Sequence, residues 1–513
     1  MRNVKAALVG ILLPAITVTA ASTTLGARSG ARSAGARPPV VMIVFDEFPA
    51  ISLLDRAGRI DRLRYPNFAA LARASTWFPY ATASVDETGR AMEALLTGST
   101  PPERRRPATY TENPANLFTL LGGRYRVTAS EEATSMCPQS LCPEVRPKDR
   151  RVVLHELAHG RAERFVRWVA RLGTSRGPSF YFKHVLLPHV PLRYLPSGQH
   201  YSGRAHEVVP GVTRAFHDRW LVKQIYQRHL LQLGFTDRLL GVALKRLRET
   251  GLWDRALVVV TADNGESFGR FGDRHVITPR KSADIALTPL FVKLPGQRRG
   301  RVVRRLVRTV DVVPTIAHAV HLQIPWATEG RSLFGPGSGR PRRSVRLYER
   351  SGRRLRVGLP ALRRQARADL ARKLALFGAG AESPGLYGIG TTPLVLGTPL
   401  ALWPRRPLGH IRAALNGARR LRSVAPRSSF VPAYVTGRIV GARRRSHRNL
   451  AVAVNGWIAA TAPSYHLGRG REEFFSAVVP EGAFQAGSNR VEVLAISPGA
   501  GPIRLKPLGG IGQ

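Results

Sequence analysis

Cysteine and acidic residues are both scarce in this chain of 513 residues: two cysteines, and 33 Asp and Glu against 79 Lys and Arg. Two cysteines are too few for a disulfide scaffold that replaces a core, and two alone do not make a zinc site. Long apolar runs are missing beyond the N-terminus, which excludes a bundle of membrane-spanning helices. No segment repeats at a solenoid period. Zinc-finger, basic-zipper and RNA-binding signatures are also lacking, so the formal charge of +46 does not read as a nucleic-acid module and no nucleic-acid partner is expected.

What is present is enough apolar sequence, 43%, to bury one large and one smaller core, which excludes a disordered chain. The positive charge is mostly Arg and is spread along the chain. That balance favours anionic surroundings such as lipid head groups or envelope polymers, and a preference for Arg codons explains it equally well. Arg2 and Lys5 precede an apolar segment from Ala6 to Ala21. Residues 1–21 therefore have the layout of an export signal, or of an uncleaved signal anchor that would tie the chain to the cell membrane. Residues 22–38 read as a flexible linker. In an exported chain the close pair Cys137 and Cys142 is expected to form a small disulfide-closed loop.

Two stretches dominate the remainder. Val40-Val41-Met42-Ile43-Val44-Phe45 runs into Asp46-Glu47, and Ala256-Leu257-Val258-Val259-Val260-Thr261-Ala262 runs into Asp263-Asn264-Gly265-Glu266. Continuous β-branched runs of this kind are buried parallel strands, which carry ligands at their C-terminal ends. If the two strands are neighbours, their acids converge on one rim and offer hard oxygen ligands to a divalent cation. Taken singly, either set of acids fits helix capping or a solvated sheet edge as well.

Between them, Tyr65-Pro66-Asn67-Phe68 opens a helix with proline in its first turn. Thr88 to Gly98 reads as a helix with a Thr-Gly stop. Thr88 fits either a plain N-cap or a hydroxyl activated at a helix N-terminus. His189, between Pro188 and Pro191 at a strand end, is placed either to touch a ligand or to cap. Helical periodicity runs from Leu221 to Thr250, and strands alternate with helices over residues 39–335. The expected fold is α/β, a doubly wound and mainly parallel sheet. Residues 336–429 read as a connector with helical segments, and residues 430–513 as a smaller β-rich, sandwich-like module whose role stays open between glycan binding, a lid and an oligomer contact.

In this order, Phe45-Asp46-Glu47-Phe48-Pro49, Tyr65-Pro66-Asn67-Phe68, Thr88 to Gly98, Pro188-His189-Val190-Pro191, Thr261 to Glu266 and Glu329-Gly330-Arg331-Ser332-Leu333 resemble the sulfatase branch of the alkaline phosphatase superfamily. The resemblance covers residues 39–335. It implies one divalent metal ion (Mn, Mg, Ca or Zn) held by Asp46, Asp263 and Asn264 with Glu47 and Thr88. It also implies Thr88 as nucleophile and His189 as a catalytic group facing the leaving oxygen. Arg274, His275, Arg280 and Lys281 are approximate counterparts of the family's anion-binding residues, and they fit a solvated basic loop as well. No three-histidine set matches a fully occupied two-zinc centre.

One departure changes the expected chemistry. Sulfatases carry a Cys or Ser that becomes formylglycine, followed by Pro and Arg, whereas this chain has Thr88-Gly89-Arg90-Ala91-Met92. Threonine cannot become that aldehyde. It resembles the nucleophile of lipoteichoic-acid synthases and phosphoethanolamine transferases, which implies action on phosphate esters of the envelope, including phospholipid head groups, at the membrane surface. The alternatives are a hydrolase of small sulfuric or phosphoric esters, and a noncatalytic envelope-binding protein.

Overall fold

The first strand, Val40–Asp46, is buried along its whole length. In a computed structural model it is an interior strand of a seven-stranded sheet. The strand order is Arg126–Ser130, Ser179–Pro188, Val40–Asp46, Leu257–Ala262, Leu290–Lys293, Thr76–Trp77, Arg301–Val302. The structure describes residues 37–101, 107–175, 177–201, 219–269, 274–380, 384–390, 393–406, 408–442, 446–467, 470–497 and 503–511. The expected export segment and most of the linker lie outside these residues. Residues Arg37–Gln513 form one compact unit.

The central strand pairs in parallel with Ser179–Pro188 on one side and Leu257–Ala262 on the other. Helices cover both faces, which is why these strands read as unbroken apolar runs and not as alternating ones. Alternation reappears in the packing. Val40, Met42 and Val44 share one face with Phe180, Phe182, Leu257 and Val259, and pack on Met92, Leu95 and Leu96 of the helix Thr88–Thr97. Val41, Ile43 and Phe45 face the other way, with Tyr181, Val258 and Val260, toward Phe165 and Trp168 and the long helix Arg219–Glu249. The fold is the expected α/β, mainly parallel sheet with helices on both sides, with Leu290–Lys293 running antiparallel to both its neighbours.

Local signals set the helix ends. Pro66 opens Pro66–Ala72 at a position where its missing N–H has no partner to lose. The next amides, Asn67 and Phe68, donate to the Asp237 carboxylate on the long helix at 3.0 and 2.8 Å. Asn116 makes a reciprocal capping box with Thr119 at the start of Leu117–Gly122. Gly98 closes Thr88–Thr97 with φ of 78°, a left-handed conformation that a Cβ would strain.

After the α/β sheet come the hairpin Ser344–Tyr348/Arg354–Gly358 and the helix Leu359–Phe377. Two four-stranded, mostly antiparallel sheets follow. Their first strand, Arg412–Leu415, starts inside the segment read as a connector. The apolar interior of this module includes Leu221, Ile225, Leu230 and Leu231 from the long helix, so one core ties the module to the α/β part. Cys137 and Cys142 form the expected disulfide. Among the described residues no helix is long and apolar enough to cross a membrane.

Candidate active site

Three neighbouring strands meet at the site on the face that carries the helix Thr88–Thr97. Val44 is in register with His184 on one neighbour and with Thr261 on the other. Strand alternation therefore puts Asp46, His184 and Asp263 on the same side of the sheet. Ligand atoms of these three residues all lie within 4.8 Å of one another, and all three are buried. The hydroxyl of Thr88 donates to Asp46 Oδ1 at 3.3 Å. Thr88 is the first residue of its helix, and Glu87 occupies the N-cap without a side-chain bond. The hydroxyl is therefore not used as a cap. It sits at the positive end of a ten-residue helix whose first turn has no acid, a setting that favours an anion.

Glu47 turns away from these three. It has a φ of 53°, and the strand register shifts just before it, between Phe45 and Asp46. Its amide donates to Asp263 Oδ1 at 3.2 Å. Its carboxylate faces three nitrogen groups: His275 Nδ1 at 3.0 Å, His189 Nε2 at 3.2 Å and Arg274 Nη2 at 3.7 Å. Arg274 also pairs with the buried Glu266. His189 Nδ1 lies 2.6 Å from the Val190 carbonyl, so both of its ring nitrogens face acceptors, which suits an imidazolium.

Charge follows this division. Burial raises the Asp46 carboxyl to about 6, against the opposing pull of His189 and with added repulsion from Glu47. Burial and the neighbouring Asp46 push Asp263 well above the usual carboxylate range. On the other side, burial opposes ionisation of Glu47, yet His189, His275 and Arg274 together hold it well below that range. Burial alone would depress His189, but Glu47 and Asp46 lift it to about 9. Burial raises Glu266 to about 8 although Arg274 pulls it down. His184, held to about 3 mainly by burial, stays neutral.

The Asp46 side is thus short of positive charge, and its donors are open. Asp263 Oδ2, Asn264 Oδ1 and both ring nitrogens of His184 are buried without a hydrogen-bond partner. Buried carboxylates side by side with orphaned oxygen and imidazole donors fit a divalent cation. Gly265 lets the turn form: its N–H donates to the Ile285 carbonyl at 2.7 Å, and a Cβ there would lie 2.3 Å from the Asp284 carbonyl oxygen.

Most of the residues expected from the sequence converge. Asp46, Thr88 and Asp263 come together on the open side with Asn264 adjoining, and Glu47, His189, Arg274 and His275 form the cationic side. Lys281 is buried directly before the short helix Ser282–Ala286, whose Ile285 carbonyl binds Gly265. Arg280 is exposed beside it. His184 was not anticipated, nor was His229, while Glu266, the last acid of the second stretch, pairs with Arg274 and not with the open donors. The signal for His184 was its parity with Phe180 and Phe182 in a buried strand. His229, buried on the long helix with Nε2 3.2 Å from Ser52 Oγ, had no comparable signal.

Residues 38–322 match the family model described as Sulfatase. Curated relatives match over shorter stretches. One is the multifunctional alkaline phosphatase superfamily protein PehA of Trinickia caryophylli, 36% identical over 101 residues, which are 19% of this chain and 19% of that one. Another is an ulvan-active sulfatase of Formosa agariphila, 26% identical over 154 residues, 29% of this chain and 30% of that one. The chain thus aligns with less than a third of the length of either. Among solved structures, a phosphonate monoester hydrolase from Silicibacter pomeroyi aligns with a TM-score of 0.43 at 19% identity, covering 61% of this chain and 79% of that one. With more than half its length matched by the family model, the chain belongs to the sulfatase family.

Proposed function

We propose that this protein is a metal-dependent ester hydrolase or transferase that acts on phosphate esters of the cell envelope through Thr88. The observation that carries the reading is the Thr88 hydroxyl, 3.3 Å from Asp46 Oδ1 at a helix N-terminus, where a formylglycine precursor would otherwise stand. A divalent cation held by Asp46, Asp263, Asn264 and His184 would supply positive charge to the substrate's nonbridging oxygens and to the attacking oxygen.

The chain's own groups account for the rest. Thr88 Oγ1 forms the bond to phosphorus, and its proton passes to Asp46, to which it already donates. The bond from phosphorus to the ester oxygen breaks in line. His189, still protonated at neutral pH with its value near 9, donates a proton to that departing oxygen. Arg274 adds positive charge beside the leaving group, while Glu47 keeps His189, Arg274 and His275 in place. Water or an acceptor alcohol then takes the phosphoryl group: its proton passes to the now neutral His189, the bond from phosphorus to Thr88 Oγ1 breaks, and Asp46 returns its proton to that oxygen.

Export and envelope location form part of the same reading. The basic-then-apolar N-terminus and the Cys137–Cys142 disulfide support an oxidising compartment. Mass spectrometry of the full protein, mixed with metal and either phospholipids or sulfate esters, tests the chemistry. A phosphoryl-type adduct on Thr88 from the phosphate donors is expected. Turnover that survives Thr88→Ala would overturn the nucleophile assignment.

A further inference from the structure

The outer face of the second C-terminal sheet is covered by a layer with unusual sidedness. That sheet runs Trp457–Pro463, Asn449–Val454, Val491–Ile496, Leu505–Pro507. The segment 393–406 crosses it from one edge to the other. Gly397 N–H donates to the Ile458 carbonyl at 2.8 Å and Leu400 N–H to Gly456 at 2.7 Å, while at the far edge Arg406 N–H donates to Leu505 at 3.2 Å. Val395 and Leu400 point inward and pack with Ile458, Leu494 and Leu505.

Outward, the layer and the start of the strand it pairs with leave large apolar side chains in water. Leu394 is 78% exposed, Leu402 68% and Trp457 55%. Single exposed apolar residues are ordinary, but here two stand on one short layer and a third, Trp457, begins the strand that pairs with the layer at Pro399. Pro393 to Arg406 contains no acid, and Arg405, Arg406 and Arg504 stand exposed along the Leu505 edge. Apolar tips on the layer, with Leu402 three residues before Arg405, together with guanidinium groups along one edge, match a surface that offers hydrocarbon and anionic charge together.

We infer that this layer is a docking face for an anionic lipid bilayer. Leu394, Leu402 and Trp457 enter the head-group region, and Arg405, Arg406 and Arg504 meet the lipid phosphates. The inference stands apart from the chemistry at Thr88, because none of these side chains belongs to that site.

The full chain can be mixed with vesicles of phosphatidylcholine alone, or with added phosphatidylglycerol, carrying brominated acyl chains. On the anionic vesicles part of the tryptophan fluorescence is expected to be quenched, and Trp457→Phe should remove that part even if the N-terminal segment also inserts. Leu394→Ser with Leu402→Ser should lower vesicle partitioning of the layer by about tenfold or more, read as lost quenching of Trp457. Arg405→Glu with Arg406→Glu should abolish the preference for phosphatidylglycerol. Unchanged thermal unfolding of all variants confirms that the fold is intact. Quenching that is the same with and without Trp457, or equal on the two vesicle types, overturns the proposal. So does protection of Trp457 by a soluble glycan or a protein partner that vesicles fail to displace.

Discussion

Arg161 holds the backbone on which His189 rides. Its buried guanidinium donates to the His189 carbonyl at 2.7 Å, to Leu186 at 2.9 Å and to Pro191 at 2.6 Å. Gln232 of the long helix donates to the Pro188 and His189 carbonyls at 2.9 and 2.8 Å from the other side. The segment is thus clamped between two helices that carry no group of the proposed chemistry.

Replacing Arg161 by Met should therefore act on both stability and turnover. A buried charged donor serving several carbonyls is worth about 3 kcal/mol when removed. Denaturant unfolding should show a loss of that size, and kcat should fall while metal affinity stays unchanged. Arg161→Lys should recover only part of both effects, because an ammonium lacks the fork that reaches three carbonyls.

Thr88→Ala should reduce turnover on the order of a thousandfold or more, and Thr88→Ser should retain most of it. Stability should change little, since Thr88 is half-buried and the N-cap position belongs to Glu87. Steady-state kinetics beside thermal unfolding separates the two effects.

Metal removal should destabilise the wild-type protein in a way that depends on the open donors. A cation present at a hundred times its Kd adds about 2.7 kcal/mol to the folded state. A chelator should remove that increment. Asp263→Asn should abolish it and also make the metal-free protein more stable than metal-free wild type, because it relieves repulsion between two buried carboxylates. His184→Ala should weaken metal binding measured by titration calorimetry. Equal metal affinity in that variant would remove His184 from the ligand set.

Asp237 gives a stability signal away from the site. Burial raises its carboxyl from 3.8 to about 6, although the Phe68 and Asn67 donors oppose the shift. A carboxyl raised in the folded state binds its proton more tightly there. Its stabilising contribution is full below about 4 and is lost as pH rises through about 6. Relative to Asp237→Asn, wild type should lose roughly 2–3 kcal/mol between pH 4 and 7, measured by denaturant unfolding at each pH. A flat difference across that window would contradict the assignment.

Chain-local patterns determined much of this protein. Unbroken β-branched runs identify the strands before Asp46 and Asp263, because only a strand covered on both faces stays apolar throughout. Pro66, Asn116 and Gly98 mark helix ends through their own backbone preferences. The resemblance to the sulfatase branch pointed to the Thr88 hydroxyl, which local pattern alone left open as a cap, and the pairing of Cys137 with Cys142 followed from their closeness in the chain. Tertiary structure alone decided what depends on neighbours. His184 joins Asp46 and Asp263 only through register between strands distant in sequence. Glu47 faces His189, His275 and Arg274 and not the open donors because its backbone turns at a positive φ. The C-terminal module shares its core with the long helix, because burial is settled by which surfaces meet, and no periodicity within one segment records its partner.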